Sequence, residues 1–467
     1  MTVSFSQSTE AAASQQDKNP KSLQAYRIGQ ATAGEVKYLV GSVSRLSMLD
    51  FWAGFGLIFI GVPTPVVTMP VGTVVVLLLV LYKMTKPATL ETRYNSLFFS
   101  IILLAVCWAL FESLAFNGIS IDEAIRRTIR MAVVLLLALQ IAQKRIDIRS
   151  LIFGVAAGLA FNLIGFYAGI APNNYGGTLT GWLNDKNQSG LYYAIFGFLF
   201  VAMVRKTSHR LVAIAVTSGM LWLTGSRTSL AAYAFAVLWL YFSHRFNLFG
   251  KAVLAWLFYL GVNYLEDNFA HAGAFADRLG SDLLRERIDE VMYRMIDVVP
   301  WYGGGLGTAQ VPLQNRYFYF HNSYMTLVQE AGWLYMIVIV ALMISAAFIW
   351  KQPRAQRIVI AEAAMVIIII TSQRLGEVIL TVPWAIVVGL ALLYLNPDKD
   401  LDASDSGHHE PGAMQKVQSS DEKPALQNGE LIENEAPAPV THQEIPKKST
   451  TSKSFDVSSI RQRARKV

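Results

Sequence analysis

The chain has 467 residues, of which 53% are hydrophobic and 16% charged, and its formal net charge is +7. Soluble domains carry about a quarter charged residues. This composition therefore excludes a string of ordinary soluble domains, and the excess cations are read as loop charge that orients a membrane chain, not as a nucleic-acid surface.

In chain order, residues 1–47 are polar and rich in Ser, Gln and Ala, without the compact apolar core of a signal peptide; they are read as a cytoplasmic N-terminal segment. Apolar runs then recur from Met48 to Leu395. About twelve of them approach the length a bilayer core demands, which predicts an all-α polytopic membrane protein with its transmembrane domain over 48–396. The spans are placed near 48–62, 66–83, 95–116, 128–143, 150–171, 190–204, 210–225, 229–243, 249–265, 324–350, 357–372 and 380–396. Cys107, the single cysteine, falls inside the third, which rules out a disulfide framework and a cysteine-based metal site.

Loop cations set the expected orientation. Lys83, Lys86 and Arg93; Lys144, Arg145 and Arg149; Arg205, Lys206 and Arg210; Arg245 and Lys251; and Lys351, Arg354 and Arg357 occupy alternate loops. Those loops are assigned to the cytoplasm together with both termini. The intervening loops, among them 172–189 and 266–322, are assigned to the outer face with Arg227, Arg285 and His321. The tail 397–467, too polar for a core and ending SSIRQRARKV, is expected to be disordered, its basic end drawn to anionic lipid.

The outer face holds the polar groups capable of chemistry. In NDKNQSG, residues 184–190, Asn187 is expected to cap the following helix, while Lys186 is open to a phosphate contact. Arg227, in LTGSRTSLAA, lies between two apolar spans, where an arginine requires a fixed partner, a wet cavity or a route to headgroups. A diphosphate suits its forked donors, with the hydroxyls of Ser226 and Thr228 alongside. In the loop 266–322, Leu284, Ile288, Val291, Met295 and Val299 recur at helical spacing up to Pro300. They predict a lid helix whose other sides carry Arg285, Asp289, Glu290 and Arg294. Arg285 and Asp289, one turn apart, also read as an ordinary surface ion pair. PWYGGGLG follows, with Gly303, Gly304, Gly305 and Gly307 permitting close backbone approach.

Last comes RYFYFHNSYMTLVQEAG, residues 316–332. His321 precedes a long apolar run, and an imidazole of ordinary pKa, about 6.5, is mostly neutral there and able to accept a proton from a hydroxyl. The alternative is an interfacial histidine bonded to a loop carbonyl. There is no Walker motif, no Gly-x-Ser-x-Gly elbow and no His-Glu-x-x-His pair, and the outer loop GVPTPV lacks the acids a catalytic divalent metal needs.

Taken in order, Asp185-Lys186-Asn187, Ser226-Arg227-Thr228, Arg285, PWYGGGLG and HNSYMTLVQEAG resemble the motifs of the O-antigen ligase and polymerase family of bacterial envelope glycosyltransferases. Ile288-Asp289 stands where that family commonly has a tryptophan, and Tyr335 replaces a frequent glycine. The resemblance implies a GT-C-like helical bundle in the inner membrane with its site facing the periplasm. It implies transfer of a glycan from undecaprenyl pyrophosphate to a sugar of lipid A-core, without metal or other cofactor. His321 would be the base, Arg227 and Arg285 the diphosphate ligands, and Asn322, Lys186, Asn187, Ser226 and Tyr324 substrate contacts. An O-antigen polymerase, a protein O-oligosaccharyltransferase and, from another class, a lipid-linked glycan flippase or transporter stay open.

Overall fold

The computed structural model describes residues 46–64, 69–90, 93–269, 279–313, 316–349 and 356–395. The expected tail, and the N-terminal segment up to residue 45, lie outside the described residues. The chain is mostly helical, and part of every apolar stretch named above is helix. The helices are α1 (Met48–Gly56), α2 (Val71–Met84), α3 (Arg93–Ala115), α4 (Ile121–Ala142), α5 (Ile148–Tyr167), α6 (Lys186–Met203), α7 (Thr207–Thr224), α8 (Arg227–Phe242), α9 (Leu248–Phe269), α10 (Leu279–Val298), α11 (Ser323–Ile344), α12 (Gln356–Ser372) and α13 (Val382–Tyr394). Among the described residues, Tyr94–Ala115, Ile148–Tyr167 and Ser323–Phe348 are long and apolar enough to cross a membrane. Several of the others are apolar but shorter, such as α13, which is buried on nearly every side. A helix apolar all round belongs in the middle of a bundle, and α13 packs there against α4 and α12.

Small residues let the helices approach. Gly54 of α1 and Gly154 of α5 face each other's helix so closely that a Cβ on either would overlap a backbone carbonyl, of Leu151 and Phe51 respectively.

Polar caps sort the helix ends into two groups. At one end Asp50, fully buried, pairs with Lys83 at 2.8 Å and accepts the Asp147 N–H at 3.0 Å, which joins α1, α2 and the start of α5. The Thr89 and Leu90 amides donate to the Gln143 carbonyl at 3.2 and 3.3 Å, so the basic loops after α2 and after α4 share that end. The starts of α4, α6, α8 and α11 lie at the opposite end.

A second, smaller core forms there. Ile288, Met292 and Ile296 of α10 pack with Ala309, Val311, Phe320 and Val328. The apolar face of α10 is therefore rotated from the one expected: Val291, Met295 and Val299 flank it, Met292 and Ile296 lie at its centre, and Leu284 is exposed. The partner is a hairpin, β1 (Gln310–Leu313) antiparallel to β2 (Arg316–Tyr319), with Gln310 opposite Tyr319. Among the described residues this short hairpin accompanies a mostly helical chain, and it carries α10 against α11.

Candidate functional site

The site is assembled around helix starts. α6 begins at Asp185, whose extended backbone lets Oδ1 accept the Asn187 and Gln188 amides at 2.8 and 3.0 Å, while Oδ2 accepts the Tyr175 hydroxyl at 2.9 Å. The cap is thus Asp185 and not Asn187, which is already helical and donates its own N–H to that cap. A carboxylate also suits the positive end of a helix better than an amide does. Lys186, the first helical residue, is half-buried.

α8 begins at Arg227, with Ser226 before it. Ser226 is buried, its hydroxyl donates to Ser229 Oγ at 2.8 Å, and it packs on Gly190, one turn into α6. It joins two helices, a structural part that the sequence reading did not assign to it. The same packing puts the half-buried Arg227 at the end of the bundle where α6 starts.

α11 begins just after His321. Asn322 Oδ1 accepts the Tyr324 and Met325 amides at 3.0 and 3.2 Å and so caps the helix. The Tyr324 hydroxyl donates to the Ile369 carbonyl at 2.9 Å, which ties α11 to α12.

A turn between α12 and α13 connects these helix starts. The Gln188 side-chain amide donates to the Glu377 carbonyl at 3.1 Å. Ser323 Oγ donates to the Leu375 carbonyl at 2.5 Å and accepts the Val378 N–H at 3.1 Å. Arg285 reaches down from α10 to donate to the Arg374 carbonyl at 3.0 Å. This turn, RLGEV, is a short polar interruption of an otherwise apolar stretch, and it carries the acid Glu377.

His321 sits among these groups, half-buried. Burial pushes its imidazole below the ordinary 6.5 to about 4; the Arg285 cation acts in the same direction, as does Lys186, and Asp185 opposes them. The structure thus brings His321, Arg285 and Lys186 into one electrostatic neighbourhood. Three helix starts directed to one end add partial positive charge, a setting that favours an anion.

The PWYGGGLG loop is fixed by α11. Gly332 has φ +87° and ψ 171°, which interrupts the helix after Ala331 and frees carbonyls that would have bonded the next turn. The Gly304 and Gly305 amides take those of Gln329 and Glu330, at 2.6 and 3.2 Å. Glu330 in turn accepts the Gly307 amide at 2.9 Å and Arg127 of α4 at 3.1 Å.

Beside this cluster a cavity of about 250 Å³ is lined by Asn184, Asp185, Gln188, Arg130, Glu377 and Thr381, among others. A smaller one, about 90 Å³, has Arg127, Arg130, Thr326, Glu330 and Glu377 in its wall. Neither is lined by His321, Arg227, Arg285 or Lys186; the cationic cluster and the cavities meet along the start of α6 and the Arg374–Leu380 turn. Asp185 and Glu377 share the larger wall, but among the described residues no group of three or more His, Cys, Asp or Glu side chains is gathered to hold a metal ion. No family model matches the chain, and no curated protein matches it.

Proposed function

We propose that the protein is an inner-membrane glycosyltransferase that moves a glycan from undecaprenyl pyrophosphate to a hydroxyl of lipid A-core, in a GT-C-like bundle of about twelve spans with the site on the periplasmic face. The observation that carries this reading is a neutral, half-buried imidazole held beside Arg285 and Lys186 where several helices begin. Cations and helix starts suit a diphosphate. A histidine kept unprotonated beside them suits removal of a hydroxyl proton.

In this mechanism the acceptor oxygen loses its proton to His321 and attacks the anomeric carbon. The bond from that carbon to the phosphate oxygen breaks from the opposite face, so configuration inverts, and the electron pair leaves on the diphosphate. Arg285, Lys186 and Arg227 offset the charge that gathers there. Asp185 holds the first turn of α6, and with it Lys186, in place.

The test is transfer by the purified full chain from a defined undecaprenyl-linked glycan to lipid A-core. Transfer is expected to persist in excess chelator, because side-chain cations supply the charge, and to be lost in His321→Ala. Growth of the lipid-linked glycan instead would assign a polymerase, and movement across vesicles without bond cleavage a transporter. Chelator inhibition reversed by magnesium would remove the metal-free mechanism.

A further inference from the structure

α4 opens on a hydrophilic stretch, IDEAIRRTIR, and becomes apolar only from Met131. It therefore carries Arg126, Arg127 and Arg130 at the end of the bundle opposite the basic loops around Lys83–Lys86 and Lys144–Arg149. Cations are sparse on that side of a membrane chain unless something holds them there. Arg127 is accounted for by Glu123 and Glu330. Arg126 pairs with Asp122 at 2.9 Å, but both side chains are more than half exposed and such a pair contributes little. Arg130 is exposed, senses the charge of Glu330, and donates no hydrogen bond to any described residue.

Arg126 and Arg130, one turn apart, stand over a groove of about 100 Å³ between α2 and α4. Its apolar wall includes Val74 and Leu77 from α2 and Ile129 and Val133 from α4, and its lining contains no carboxylate. One turn further along α2, Leu78 and Leu81 continue the same faces and are 62% and 52% exposed, as a surface in contact with acyl chains would be.

We propose that this groove binds a phosphate-bearing membrane lipid, the phosphate held by Arg130 and Arg126 and an acyl chain laid along Val74–Leu78 and Leu77–Leu81. The match is one of charge and polarity together. Two guanidiniums sit where α4 passes from polar to apolar sequence, the level of headgroup phosphates, and the forked donors bind phosphate oxygens in pairs. A free anion would leave the apolar wall unused. Arg130 also borders both cavities beside the candidate site, so the groove adjoins that region, but His321, Arg285, Lys186 and Arg227 do not line it, and lipid retention is read without any transfer reaction.

The test uses the purified full chain in neutral detergent, without donor or acceptor, and measures lipid retention by native mass spectrometry. Phosphatidylglycerol is expected to be retained in preference to phosphatidylcholine. Arg130→Gln with Arg126→Gln should weaken that retention about tenfold or more, since charge-assisted bonds are lost. Val74→Trp, which fills the groove and keeps both cations, should weaken it likewise. Undiminished retention in a folded Arg126→Gln/Arg130→Gln protein, or equal retention of phosphatidylcholine, would overturn the proposal. So would displacement of the lipid by inorganic phosphate at comparable concentration, which would make the site one for the free anion.

Discussion

His321 is a histidine whose surroundings resist its protonation, and this has two consequences with opposite relations to a bound donor. In the free protein burial, Arg285 and Lys186 hold its pKa near 4. If it is the base, the acid limb of kcat/KM, which reports the free enzyme, should fall near pH 4 and not near 6.5. A bound diphosphate offsets the two cations, so the limb of kcat should move upward; rates of transfer between pH 4 and 8 check both, and limbs that coincide at about 6.5 would deny His321 this role. The stability sign follows from the same depression. Above the unfolded value of about 6.5 neither state binds the proton, whereas below it the unfolded chain binds more readily, so this contribution to stability is lost as pH falls from about 6.5 towards 4. Arg285→Ala should lower transfer by about a hundredfold through lost stabilisation of the leaving group, measured as kcat under saturating acceptor; it also raises the histidine pKa, which a shifted acid limb would reveal. The placements were legible at this scale: an imidazole at a polar-to-apolar boundary and arginines beside apolar spans are costly and call for a reason. The internal bonds of the hydroxyls were not legible: nothing in the sequence pairs Ser226 with Ser229 or Tyr324 with the Ile369 carbonyl.

At the scale of elements, the glycine loop and the start of α11 form one unit. A Cβ on Gly332 would overlap the Trp301 carbonyl, and its φ of +87° disfavours any other residue. Gly332→Ala is therefore expected to release the loop and destabilise the protein by about 1–3 kcal/mol, seen as a lower melting temperature and as faster proteolysis near Tyr302. Glu330→Gln tests the same unit by charge. It leaves Arg127 with a neutral partner and weakens the Gly307 contact, so the loop should loosen while His321 keeps its acid limb. A shifted limb would mean that Glu330 acts on the imidazole itself. The sequence indicated a helix ending at Pro300 and a glycine turn, since spacing and glycine carry those signals directly. The hairpin was hidden in plain view: Phe318 and Phe320 point inward while Tyr317 and Tyr319 are exposed, an alternation of period two. Four residues of alternation are too few to set a strand apart from a loop on sequence alone. The rotation of the α10 face was not legible, because whether Leu284 or Met292 is covered depends on where that hairpin lies.

For the whole molecule, the buried Asp50–Lys83 tie and the His321 cluster lie at opposite ends of the bundle. Hydropathy located the helices because each must bury its apolar face. It could not reveal which of them would be enclosed by their neighbours, and the short, wholly buried α13 owes its place to packing against α4 and α12. Nor could it pair Asp50 with Lys83 across the first two helices, or Lys251 and Trp239 with Glu362 across α8, α9 and α12. These buried acids lie at helix junctions and serve as structural ties. Lys83→Met would leave the fully buried Asp50 carboxylate without its cation, a change that costs about 3–5 kcal/mol, whereas replacing both partners with apolar residues is often close to neutral. The double variant Asp50→Leu/Lys83→Met should accordingly recover most of the stability that Lys83→Met loses, short of the part due to the Asp147 amide that also bonds Asp50. Melting temperatures of the single and double variants measure that recovery. Because the pair sits at the end away from His321, the folded double variant should keep the wild-type acid limb, and a displaced limb would show that the two ends of the bundle are coupled.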